Sequence, residues 1–216
     1  NDPRGPDPYA QQWNLTVERD LGWNTGLRVT YTGSHTIRLF SSPDLNQIGP
    51  NTVGYATARA LKPFPNWNIV YSRDPIGSAK YHSLQIEGQK RFSQGLYFQS
   101  SWVWSKSLTD TGGSSSSAFA GEAGNVPTNR FDLAMDYAEV SPARRHRWLT
   151  TFVYELPFGF ASADTTARRV ANGVVKGWQF SGILLLQTGQ FLSPVTSGAT
   201  DPSGTNVSSR ASDRPD

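Results

Sequence analysis

Apolar and polar residues alternate along several stretches of this chain, and this period of two is the feature that most constrains its fold. The clearest stretch covers residues 96–104, where the apolar residues of one parity are Leu96, Phe98, Trp102 and Trp104. Successive side chains of a β-strand point to opposite faces of the sheet, so the alternation predicts strands with one apolar and one polar face. The same pattern recurs in residues 13–18, 27–32, 148–156 and 178–186.

Aromatic residues stand near the ends of the expected strands. They include Trp23, Trp67, Trp104, Tyr154 and Trp178. Alternating segments of about ten residues, with aromatic girdles where the membrane meets water, are typical of transmembrane β-barrels. We therefore predict an all-β fold: an antiparallel transmembrane β-barrel segment that supplies about six strands of a larger barrel in the bacterial outer membrane.

Six strands are expected within residues 1–216, near 9–19, 26–36, 80–92, 96–108, 147–156 and 178–187. Short turns should follow the first and fifth strands and join the third to the fourth, whereas long external loops should cover residues 38–79 and 109–142. The link 158–176 departs from this rule, because it should be a short turn and is not. A short strand near 68–72 and a helical turn near 132–137 are further expectations.

Composition is compatible with this fold and excludes several others. The chain has 20 Gly, 14 Pro and seven Trp, and only 17% of its residues are charged. The mean hydropathy of −0.48 does not exclude a membrane barrel, since only alternate strand residues face lipid. No apolar run approaches the roughly 18 residues of a membrane helix. Cysteine is absent, which excludes disulfides and thiolate sites, and the net charge of +3 is too small to indicate nucleic acid as a partner.

Several strings of residues, taken in order, resemble the barrel of TonB-dependent receptors of the Oar-like group. They are Gln12-Trp13-Asn14-Leu15, Tyr81-His82-Ser83-Leu84-Gln85, Trp104-Ser105-Lys106-Ser107-Leu108, Tyr154-Glu155-Leu156-Pro157-Phe158-Gly159 and Gly177-Trp178-Gln179-Phe180-Ser181-Gly182-Ile183. The resemblance implies a barrel of about 22 strands with a plugged lumen. The plug, the segment that engages TonB and the closing strands of that family have no counterpart in the sequence, so we expect the chain to be an internal fragment of a longer receptor.

Five residues are candidates for ligand binding. Arg144, Arg145 and Arg147 form the densest basic cluster and could contact an anionic ligand where a strand meets an external loop. The alternative for these arginines is anchoring at the lumen or at the lipid headgroups, where Arg side chains snorkel readily. Phe64 and Trp67 could stack on a sugar in the first long loop.

Other polar residues give no sign of catalysis or of a metal site. His35, His82 and His146 lie far apart in sequence and lack the short spacing of zinc ligands. The carboxylates of the second long loop are Asp110, Glu122, Asp132, Asp136 and Glu139, and such a loop should keep them solvated. We therefore expect no enzyme activity, no catalytic residues, no cofactor and no metal.

The sequence thus predicts part of the wall and external loops of a TonB-dependent transporter that imports a large or scarce solute such as an oligosaccharide, siderophore or peptide. The expected partners are outer-membrane lipid, the remaining barrel and plug of the same polypeptide, the TonB complex through regions absent here, and an unknown imported ligand. The alternative is a surface β-sandwich that acts in adhesion or carbohydrate binding. Such a sandwich would bury its apolar faces against a second sheet.

Overall fold

The computed structural model describes residues 6–111, 126–127, 129–140, 143–158 and 165–192, which form seven strands and a few short helices. The strands are β1 (Tyr9–Gly22), β2 (Thr25–Ser41), β3 (Asp74–Ser93), β4 (Leu96–Thr109), β5 (Ala138–Glu139), β6 (His146–Glu155) and β7 (Gln179–Gln187). The α-helices are α1 (Tyr55–Ala58) and α2 (Thr166–Val175), and 3-10 helices cover Arg59–Leu61 and Leu133–Asp136.

All seven strands belong to one antiparallel sheet. Its order is β1-β2-β3-β4-β6-β7, with the two-residue β5 paired to the end of β4. Each long strand therefore pairs with the next long strand along the chain, and β1 and β7 lie at the two edges of the described sheet. The predicted all-β antiparallel fold is confirmed. The sandwich alternative is wrong, because the described strands form a single sheet without a second one packed on it.

The strands lie where the alternation placed them, but two are longer than expected. β2 continues to Ser41 and β3 begins at Asp74. The pairing register between the two strands shifts between Ile37 and Leu39 and again between Leu39 and Phe40. Residues 68–72 were expected to form a strand and do not. Tyr71 makes only an isolated bridge to Asp44.

The strand register divides the sheet into an apolar face and a second face. One cross-strand row on the apolar face consists of Val17, Val29, Ile86, Trp102, Trp148 and Leu186. The next row, on the opposite face, consists of Glu18, Arg28, Glu87, Ser101, Leu149 and Leu185. We call these the outer face and the inner face. Among the described residues, the buried hydrophobic side chains are those of Ile48 and Ala58, and Pro43 and Pro127 are also buried. All four lie in the loops, so the sheet itself has no buried apolar core.

The connections alternate between the two ends of the sheet. Trp23 and Asn24 form the turn between β1 and β2, and Gln94 and Gly95 form the turn between β3 and β4; all four have positive φ, as two-residue type I′ hairpin turns require. We call the end of the sheet that carries these two turns the turn edge. The described parts of the long connections 42–73 and 110–145 meet at the opposite end of the sheet, which we call the loop edge. The β6–β7 link also lies at the turn edge, and α2 accounts for its length.

Close contacts between aromatic rings and glycines lock neighbouring strands on the outer face. The indole of Trp13 in β1 covers Gly33 in β2, so that a Cβ at Gly33 would overlap the ring. The ring of Phe152 in β6 similarly lies 3.0 Å from the position of a Cβ on Gly182 in β7. Glycine is needed at Gly33 because no other residue leaves room for the indole.

Candidate functional site

A polar network crosses the inner face from β1 to β4. The Arg28 guanidinium lies between two carboxylates, with Nε 2.6 Å from Glu18 Oε1 and Nη1 3.7 Å from Glu87 Oε2. Gln99 Nε2 donates to Glu87 Oε1 at 2.7 Å. Opposite charges on directly paired residues favour this register. The network leaves polar and charged groups exposed on the inner face of the sheet.

A shallow cavity of about 550 Å³ opens beside this network toward the turn edge. Glu18, Arg28 and Glu87 contribute to its wall, together with Asp20 and Arg91. The cavity is open and charged, so its chemistry suits a hydrated polar group better than an apolar ligand.

The inner face carries more apolar side chains toward β7. Its residues on β4, β6 and β7 include Val103, Leu149, Val153, Ile183 and Leu185. Ile183 and Leu185 are 77% and 45% exposed, respectively, in the described chain. The polar face that alternation predicts is therefore polar throughout β1 to β3, whereas on β6 and β7 these apolar residues lie between polar residues at the two ends of each strand. Alternation alone missed this, because β7 carries Ile183, Leu184, Leu185 and Leu186 in succession.

A single buried side chain organises the first long loop around Phe64 and Trp67. Asn46 is 1% exposed, and its Nδ2 donates to the carbonyls of Phe64 at 3.0 Å and Trp67 at 2.7 Å. Its Oδ1 accepts from Phe64 N at 2.9 Å. Phe64 and Trp67, the two predicted loop aromatics, therefore belong to one fixed turn, and both side chains are exposed. Trp67 lies within this loop and not at a strand end, so its expected place in an aromatic girdle is wrong.

The second long loop is attached to the first through Arg130. Its Nη1 donates to the Leu45 carbonyl at 2.6 Å, and its backbone N donates to Gln47 Oε1 at 2.8 Å. Both acceptors flank Asn46 in sequence. Sequence analysis missed Asn46 and Arg130, since their partners lie up to 85 residues away and no local pattern marks such contacts.

The arginine cluster lies at the loop edge, where β6 begins, and its members have different roles. Arg145 forms an ion pair with Glu139, and its guanidinium lies 5.3 Å from the Phe191 ring centroid. The Arg144 carbonyl accepts from Ser105 Oγ at 2.9 Å. Arg147 is exposed and pairs in register with Val103 and Gln187 on the inner face. The arginines and the Phe64 turn are held by different partners, so the five predicted site residues form two separate groups.

The loop carboxylates have structural roles. Asp110 accepts from Ser78 N at 2.6 Å and from Ser78 Oγ at 2.8 Å, and Asp132 accepts from Ala134 N at 3.1 Å. The latter bond caps the 3-10 helix Leu133–Asp136, which confirms the expected helical turn. Glu139 pairs with Arg145, so these three are not simply solvated as expected. Glu122 lies outside the described residues.

Two of the histidines, His82 and His146, lie on the outer face and contact aromatic neighbours. His82 Nδ1 is 2.8 Å from Tyr31 Oη, and the His82 ring centroid is 6.2 Å from that of Trp13. His146 stacks on Trp102 at 5.7 Å between centroids. Within the described part of the chain, no three metal-ligating side chains come together as a metal site would require.

Two hydroxyl groups on the outer face, those of Ser100 and Thr150, form hydrogen bonds within the sheet. Trp148 Nε1 donates to Ser100 Oγ at 2.8 Å and to Thr150 Oγ1 at 2.9 Å, and the two hydroxyl oxygens are 2.7 Å apart. An unpaired polar group in hydrocarbon costs several kcal/mol. This shared bonding lets Ser100 and Thr150 lie on an otherwise apolar surface.

Comparison with known proteins agrees with this two-faced sheet. None of the helices described here has the length and apolar character needed to cross a membrane. Searches of curated proteins and of solved structures found no significant match. A family model described as an outer membrane beta barrel domain matches residues 1–216. The chain therefore belongs to the outer membrane β-barrel domain family, and its sheet forms barrel wall in the bacterial outer membrane.

Proposed function

We propose that this wall belongs to a TonB-dependent transporter of the Oar-like group, and that the transporter imports a large or scarce solute. The external loops capture the solute, the inner face guides it, and a plug elsewhere in the polypeptide moves when the TonB complex delivers energy. The contribution of this chain is binding and passage, without catalysis.

The observation that carries the proposal is the division of the inner face into a polar and an apolar part. A water-filled diffusion pore has a polar interior. Here Leu149, Val153, Ile183 and Leu185 present apolar surface inward, next to the charged network of Glu18, Arg28 and Glu87. Exposed apolar surface of this kind favours contact with another protein surface. A plug packed against β6 and β7 would cover the apolar part and leave the polar part for solute.

The external loops support solute capture. Phe64 and Trp67 are exposed on a turn whose backbone is fixed by Asn46. A rigid aromatic surface loses little conformational entropy on binding and stacks on flat or ring-shaped ligands. Arg147 is exposed and adds positive charge at the loop edge. Oligosaccharides, siderophores and peptides with ring-shaped or anionic groups fit this chemistry.

Transport by the full-length protein tests the proposal directly. Labelled oligosaccharides, siderophores and peptides would be offered to cells that express the protein, with and without an uncoupler and with and without TonB. We expect accumulation of one solute class that is lost when either energy or TonB is removed. Accumulation that survives both losses would identify a diffusion pore and contradict the proposal.

The plug contact has its own test. The double substitution Leu149→Asn with Leu185→Asn should weaken packing of the plug and make cells more sensitive to a large antibiotic that is normally excluded. Ser181→Asn is the matched control, since it changes an inner-face residue of β7 that is already polar. Equal sensitivity of the double variant, the control and the unmodified protein would argue against an apolar plug contact.

A further inference from the structure

Helix α2 carries an apolar side that nothing in the described chain covers. Ala167, Val170, Ala171 and Val174 recur at the spacing that places residues on one face of a helix. Val170 and Val174 are 65% and 68% exposed, respectively. Arg168, Arg169 and Asn172 occupy the opposite side, and Lys176 follows the last turn. The helix is thus amphipathic, with its apolar side toward the surroundings and its cations on the other.

The helix lies at the turn edge and is tied to the outer face through Trp178. Leu156 N donates to the Trp178 carbonyl at 2.9 Å, which extends the β6–β7 ladder toward the helix. Trp178 Nε1 donates to the Val174 carbonyl at 2.6 Å. Trp178 has the same parity as Phe180, which pairs with Tyr154 on the outer face. The end of α2 is therefore fixed beside the lipid-facing aromatic residues of the turn edge.

We propose that α2 is an interfacial helix that lies in the phospholipid leaflet at the turn edge, with Val170 and Val174 toward the acyl chains. The outer face already contacts lipid, and Trp178 makes the apolar side of α2 continuous with it. Helices with an apolar side and a basic polar side bind in this position. Phospholipid headgroups are anionic or zwitterionic, so their phosphates complement Arg168, Arg169 and Lys176.

Lipid accounts for two features that a purely aqueous position leaves unexplained. A helix of ten residues is marginally stable in water unless its apolar side is covered. Trp178 also stands at the end of the lipid-facing surface of β7, and tryptophan is enriched in membrane proteins where hydrocarbon meets the headgroups. The inference uses the barrel's place in the membrane and holds whether or not the protein is a TonB-dependent transporter.

Spin labels on single cysteines in the full-length protein would test the proposal in phosphatidylcholine vesicles that contain phosphatidylglycerol. The labelled variants are Val170→Cys and Val174→Cys on the apolar side, with Arg169→Cys and Asn172→Cys as controls on the polar side. The collision rates of each label with oxygen, which concentrates in lipid, and with a water-soluble nickel chelate would be compared. We expect the ratio of oxygen to nickel collisions to be severalfold higher at 170 and 174 than at 169 and 172.

Two results would overturn the proposal. The same ratio at all four positions would place α2 in water, and protection of positions 170 and 174 from both reagents would indicate a protein partner. Each labelled variant must first show the resistance of the unmodified protein to unfolding by detergent. Ala167→Cys, on the same side of the helix, replaces either apolar-side variant that fails this check.

Discussion

Gly33 shows how a single residue fixes the pairing of two strands. Because the Trp13 indole lies over Gly33, the absence of a side chain at this position sets both the register of β1 against β2 and the rotamer of the tryptophan. The indole in turn lies 6.2 Å from the His82 ring of β3, between centroids. The absence of a side chain at Gly33 thus permits ring contacts that connect β1, β2 and β3.

We predict that Gly33→Ala lowers the free energy of unfolding by about 1–3 kcal/mol, because the new Cβ displaces the Trp13 ring and overpacks the contact. Gly26→Ala on the same strand is the control, since a Cβ there meets no atom within 4 Å. Urea unfolding of the full-length protein in lipid vesicles measures both variants. Equal effects of the two substitutions would show that the Trp13 contact is not specific.

Asn46 has the corresponding role in the first long loop. We predict that Asn46→Ala costs about 1–3 kcal/mol of local stability, because the bonded carbonyls of Phe64 and Trp67 lose their donor. Faster hydrogen exchange in residues 42–73, with unchanged exchange in β2 and β3, is the expected readout. Asn68→Ala is the control: Asn68 is exposed, and its backbone carbonyl, the group that contacts Asn46, remains. Similar exchange in both variants would contradict the role of Asn46.

At the scale of single elements, β3 offers the sharpest comparison of the two faces. Ile86 lies in the apolar row of the outer face, and the adjacent Gln85 pairs with Thr30 and Val103 on the inner face. We predict that Ile86→Arg lowers the stability of the barrel in vesicles by about 2–4 kcal/mol if it lies near the bilayer midplane. Gln85→Arg should lower this stability only slightly, since the inner face already carries charged side chains. Equal losses at the two positions would contradict the lipid-facing role of the outer face.

The elements also show what sequence patterns can and cannot establish. Alternation predicted β4 and its two faces. In a strand with one apolar and one polar face, the polarity of each residue indicates the face on which it lies. It could not predict the inward apolar surface of β7, since a run such as Ile183 to Leu186 is apolar on both faces. Helix α2 could have been found from the spacing of Ala167, Val170, Ala171 and Val174 after Thr165, whose side chain caps the helix by accepting from Arg168 N. The contacts of Asn46 and Arg130 could not have been found from the sequence, because they depend on how segments distant in sequence pack together.

At the scale of the whole molecule, the sheet has a turn edge and a loop edge, and these should face opposite sides of the membrane. We predict that Asn66→Cys in the Phe64 turn reacts with a membrane-impermeant maleimide on intact cells, whereas Gln94→Cys in the β3–β4 turn reacts only after permeabilisation. Both residues are exposed, so access across the membrane decides the result. Reaction of Gln94→Cys alone on intact cells would invert the topology.

The bond from Arg130 to the Leu45 carbonyl has a mechanical consequence for the barrel. The first loop connects β2 to β3, and the second connects β4 to β6. A hydrogen bond between the two loops therefore links the ends of four strands that are adjacent in the sheet. Displacing one loop should therefore displace the other, so this bond couples the loop-edge ends of the four strands.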